Sequence, residues 1–133
     1  MAKYRVFLIG GEDDESGVLT TREDKEHCCI AFEFRGRSIH AEADDYFEAL
    51  CQIRLLLEKE RLIPFCYGAS LNVYPSGMAR DMGLGLKAYR LTIGRDARTD
   101  DLVEILTEGP DVIPAFVSRQ RDFFDEWIRT PKC

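Results

Sequence analysis

The 133-residue chain predicts an α+β domain, a mostly antiparallel sheet of four to five strands with helices packed on one face. Three observations carry that reading. Residues 4–9 and 27–43 hold aromatic, β-branched and alternating apolar residues, the mark of half-buried strands. Residues 45–57 and 114–128 instead place apolar side chains at helical spacing. The order along the chain is strand, hairpin, helix, two strands, two helices, without repeat or linker, so residues 1–133 are expected to form one domain.

Residues 4–9 (YRVFLI) end at Gly10-Gly11 and form the first strand. Residues 10–26 are dense in acid and are expected to be a mobile connection, with a short edge strand over 18–21. Residues 27–35 and 38–43 make a hairpin around Gly36-Arg37, with glycine at the first central position of a type II′ turn. That register sets Phe34 opposite Ile39, Phe32 opposite Ala41 and Ile30 opposite Ala43; His40 then faces Glu33.

Asp44 or Asp45 caps the first helix, and Glu48 is placed for a capping box. Its core stripe is Tyr46, Ala49, Leu50, Ile53, Leu56 and Leu57, and Pro64 stops it. Residues 65–74 alternate as a strand, 75–85 form a glycine-punctuated loop, and 86–93 return as a strand. Thr99 caps a short helix carrying Leu102, Val103, Ile105 and Leu106, ended by Gly109-Pro110. Pro114 opens a last helix whose apolar face holds Phe116, Val117, Gln120, Phe123, Phe124, Trp127 and Ile128.

A net charge of −6 and a pI near 5.0 argue against a nucleic-acid binder, which needs a basic stripe to displace counterions. The same charge suits a basic protein partner or a cationic ligand. Five cysteines, two of them adjacent and none in a C-x-x-C pair, do not form a disulfide framework. No apolar run has the length of a signal-peptide core or a membrane span, so no membrane partner is expected and a reducing cytoplasm is the expected location.

The glycine-rich stretch around residues 67–90 is the expected site. It is not a P-loop, because Gly85-Leu86-Lys87 lacks the following hydroxyl residue and leads into a strand. Around it lie Asn72, Tyr74, Ser76, Arg80, Asp81, Lys87, Tyr89 and Arg90, the candidate partner- or ligand-binding residues. Asn and Tyr offer directional hydrogen bonds, Arg a planar fork and Lys a mobile charge. No catalytic residue, metal site or cofactor is expected. His27 and His40 lack zinc-ligand spacing, and acidic residues 12–15 lack that of a calcium loop. A Cys29–His40 dyad is conceivable on the polar hairpin face, but a half-buried thiol and a cross-strand His40–Glu33 contact are the expected reading.

The expected function is therefore a non-enzymatic binding module, of the build that includes inhibitor- and immunity-type proteins, which contacts a protein partner through the 67–90 surface. The alternative is a small anionic ligand or enzyme site at the same loop, gripped by Asn72, Arg80 and Lys87. A third reading makes the chain a homo-oligomer held by its last helix.

Overall fold

The computed structural model describes residues 1–24 and 26–133; residue 25, inside the acidic segment, lies outside them. Five strands form the larger sheet in the order β4-β3-β2-β1-β5: β1 (Ala2–Ile9), β2 (Ser16–Glu23), β3 (Cys28–Phe34), β4 (Arg37–Ala43) and β5 (Ile63–Pro64). All its pairings are antiparallel. A second antiparallel sheet holds β6 (Val73–Tyr74), β7 (Lys87–Arg90) and β8 (Leu102–Glu104). Three helices complete the chain: α1 (Tyr46–Glu58), α2 (Gly77–Met82) and α3 (Val117–Arg129). The α+β class holds.

One face of the larger sheet presents Val6, Leu8, Leu19, Ile30, Phe32 and Phe34 to α1. The same core continues through Ala69, Val73, Ala88, Ile105 and Leu106 beneath the smaller sheet. Asp45 starts α1 as expected, its carboxylate accepting the Glu48 N–H at 2.8 Å. The helix ends at Glu58, before Pro64, which instead pairs with Leu8 in β5. Leu56 is 38% exposed and leaves the expected stripe, whereas Arg54 enters it at 1% exposure.

Several expectations are corrected. Residues 16–23 form a full inner strand paired on both sides, not an edge strand in a mobile loop. Gly17 is what allows this: a Cβ there would stand 2.5 Å from the Phe32 ring and 2.7 Å from the Glu33 carbonyl. The hairpin turns at Arg35-Gly36, both at positive φ (50° and 72°), which is the type I′ geometry. The register is therefore displaced by two residues, with Phe34 opposite Arg37, Phe32 opposite Ile39 and Ile30 opposite Ala41. An even displacement keeps every side chain on its expected face. His40 now faces Ala31, and Cys29 faces Glu42.

Residues 65–74 are not one strand. Tyr67–Ala69 form a 3₁₀ turn, and only Val73–Tyr74 pair in a sheet. The carbonyls of Gly68, Ser70 and Val73 accept from buried side chains of Arg54 and Gln120 instead of a neighbouring strand. The short helix expected after Thr99 is a 3₁₀ turn (Thr99–Asp101) running into β8, where Val103 pairs with Ala88. In α3 only Gln120 is buried; Ile128 is 55% exposed, and Phe116, at the N-cap just before the helix, is 39% exposed. The Glu58 carboxylate of α1 accepts the first α3 N–H, from Val117, at 2.8 Å.

The hairpin turn is pinned by charge. Arg35 forks onto Glu15 at 2.6 and 2.9 Å, and Arg37 reaches Glu60 at 2.5 Å. The Arg35 hydrogen bonds, followed by the Glu12 backbone, hold the Glu15 carboxyl at about 2 instead of 4.5. A lowered carboxylate pKa gives stability that is complete above pH 4.5 and disappears as pH falls towards 2. Arg35→Asn, which tolerates the positive φ, should flatten the melting temperature against pH in that window; a curve parallel to the wild type would contradict the assignment.

Candidate functional site

The 75–85 stretch, expected as a loop, contains α2. Ser76 caps it, its hydroxyl accepting the Ala79 N–H at 3.0 Å. Leu84 and Gly85 then turn at positive φ, and the Leu84 carbonyl accepts the Tyr46 N–H at 2.7 Å. Gly85 lies so close to the start of α1 that a Cβ would meet the Asp45 carboxylate at 2.8 Å. The helix is thereby docked on the first turn of α1.

Arg80 makes the second fastening. Its guanidinium lies 3.4 Å from the Asp45 carboxylate and 3.4 Å from the Tyr74 hydroxyl. It also stands over the Phe47 and Tyr74 rings at 5.1 and 5.5 Å. Tyr74 in turn stacks on Phe124 of α3, centroids 3.9 Å apart, and meets Phe47 edge-on at 5.0 Å. Arg80 therefore binds within the chain.

Arg90 is placed elsewhere. It pairs with Asp111 at 2.9 Å and donates to the Asp100 carbonyl at 2.8 Å. The Tyr67 hydroxyl donates to the other Asp111 oxygen at 2.5 Å. That hydroxyl first, and Arg90 second, hold the Asp111 carboxyl below its ordinary range. Asn72 accepts from the Ser70 hydroxyl at 3.0 Å, and Asp81 is exposed.

The remaining candidates meet at a cleft of about 530 Å³ between α2, the β7–β8 strands and Tyr4 of β1. Ser76, Lys87 and Tyr89 line it with Met78, Met82, Leu86, Leu102 and Leu106, and Glu104 adds a carboxylate. Lys87 and Glu104 are directly paired across β7 and β8. A second cavity of about 360 Å³ shares Ser76 and Tyr89 with the first and continues to Tyr74, Leu91, Asp96, Phe124 and Trp127. Ser76 and Tyr89 are the wall common to both.

Met78, Met82, Leu86, Leu102 and Glu104 are among the lining residues that sequence reasoning did not place at the site. Met78 and Met82 are 71% and 82% exposed. Their signal was present: Ser76 followed by methionines four residues apart is a capped amphipathic turn. Among the described residues no cluster of His, Cys, Asp or Glu is arranged to hold a metal ion, and no helix is long and apolar enough to cross a membrane. No family model matches the chain, and no curated protein matches its sequence.

The Arg80 contacts should hold α2 by roughly 1 kcal/mol, the sum of a part-exposed ion pair and cation–aromatic contact. In Arg80→Ala, amide exchange over residues 77–85 should accelerate about fivefold while the α1 core keeps its rate. Unchanged exchange would mean that α2 does not depend on this residue.

Proposed function

We propose that the chain is a non-enzymatic binding module that captures a protein partner through the cleft between α2 and the β7–β8 strands. One observation carries the reading. Two methionines, 71% and 82% exposed, rim a 530 Å³ cleft whose walls are mainly apolar. Apolar surface left in water is costly, and side chains grouped in this way mark places that a partner covers. Methionine is flexible and polarizable, so it adapts to the contour of an inserted segment. The paired Lys87 and Glu104 at the cleft give an incoming backbone both a donor and an acceptor.

The volume also favours a second reading, a small ligand, since about 300–1,000 Å³ is the usual range of ligand pockets. Arg80 and Arg90 are held by Asp45 and Asp111, which leaves Lys87 as the cation lining this cleft for an anionic ligand.

A photo-cross-linker placed at position 78 should join a discrete partner, with a control at position 13 on the acidic turn giving none. Met82→Asp should reduce the position 78 product at least tenfold without lowering the melting temperature by more than about 2 °C, because surface changes cost little. Equal labelling from both positions, or a product indifferent to Met82→Asp, would overturn the proposal.

A further inference from the structure

An antiparallel ladder turns alternate residues of a strand towards one neighbour and the rest towards the other. The Arg35-Gly36 turn makes Phe34 and Arg37 its hydrogen-bonded closing pair, so Phe32–Ile39, Ile30–Ala41 and Cys28–Ala43 are bonded pairs as well. The N–H and C=O groups of Ser38, His40 and Glu42 therefore point away from β3. β4 is the end of the larger sheet and all three residues are exposed. Among the described residues no other group of the chain bonds to their backbone.

Strands left open in this way are ordinarily blunted by proline, lysine or a bulge. Residues 37–43 hold neither proline nor lysine, and their register with β3 runs unbroken. Fixed charge is confined to the two ends, Arg37 at the start and Glu42 with Asp44 at the finish. A second copy aligned antiparallel sets each Arg37 beside the acidic end of the other strand, whereas parallel alignment sets like on like. Leu56 of α1, 38% exposed, stands one turn before Glu60, which Arg37 holds, so it lies on the β4 side of the helix. With half-buried Ile39 it gives the open edge an apolar border.

We infer that β4 is a self-association edge, two copies of this chain pairing their β4 strands antiparallel about a two-fold axis at His40. In that register Ser38 meets Glu42 of the second copy, His40 meets His40, and each pair exchanges two backbone hydrogen bonds. A shift by two residues sets Glu42 against the turn residue Gly36, or Ser38 against Asp44 beyond the strand. The assembly closes at two. The sheet's other edge, β5, spans only Ile63–Pro64 and ends in a residue without an N–H. The edge uses no residue lining the α2 cleft, so it stands apart from partner capture there.

Sedimentation equilibrium over a concentration series should give a monomer–dimer equilibrium. His40→Pro deletes an outward N–H and no bond to β3, so it should keep the melting temperature and abolish the dimer. Two further variants add the same charge with opposite results. Ser38→Lys faces Glu42 of the second copy and should tighten the dimer about threefold or more. His40→Lys sets two ammonium groups against each other at the axis and should weaken it by as much. Both change exposed residues, so they decide the matter even where proline disrupts the hairpin. Ile128→Asp on α3 and Met82→Asp on α2 should leave the constant unchanged. A wild-type chain monomeric up to about 1 mM, a dimer surviving in folded His40→Pro, the two lysine variants moving the constant the same way, or dissociation by Ile128→Asp or Met82→Asp would each refute the inference. None of these outcomes bears on position 78 cross-linking, except that dissociation by Met82→Asp would place self-association at the cleft.

Discussion

Taking a guanidinium out of water costs several kcal/mol, and Arg54 is buried without a carboxylate in ion-pair contact among the described residues. Its compensation is a set of fixed dipoles. Arg54 donates to the Gly68 carbonyl at 3.0 Å, the Ala115 carbonyl at 2.9 Å and the Gln120 amide oxygen at 2.6 Å. Its Nε has no acceptor among the described residues. Burial lowers the pKa of the group from its ordinary value. The charge tolerates this position only while every one of those acceptors stays in place.

Gln120 transmits the constraint. Arginine only donates, so the amide must turn its oxygen to Arg54, which aims its nitrogen at Gly68, Ser70 and Val73. Its two N–H groups are shared among the three carbonyls, so one side chain of α3 gathers the segment leading into β6. Tyr74, the last residue of β6, then meets Phe124 one helical turn beyond Gln120. The stack, Arg80 and Asp45 complete the chain of contacts to α1. Both cavities are bounded by residues positioned in this way, so the site rests on a polar knot in an otherwise apolar core.

The sequence revealed the elements whose partners are local. The Asp45 cap, the apolar hairpin faces and the last helix all follow from spacing within a few residues. What it concealed depends on distant side chains. Residues 65–74 alternate like a strand, yet their carbonyls are taken by Arg54 and Gln120, which no local pattern announces. Residues 16–23 were disguised by the acidic turn before them, although Gly17 marks where the Phe32 ring needs room. Four candidate residues, Tyr74, Ser76, Lys87 and Tyr89, were placed beside the cavities for a reason that was legible: they flank the one segment rich in turns. The intrachain partners of Arg80 and Arg90 were hidden because Asp45 and Asp111 lie 35 and 21 residues away.

The most direct test is a double-mutant cycle on Arg54→Met and Gln120→Leu by urea denaturation, with Trp127 emission recorded in each variant. The account predicts a coupling of at least about 1.5 kcal/mol and a red-shifted Trp127 in both single variants, as α3 loosens from β6. Additive losses with unmoved Trp127 emission would show that the buried arginine and glutamine do not hold the helix, and the proposed origin of the cavities would fall with them.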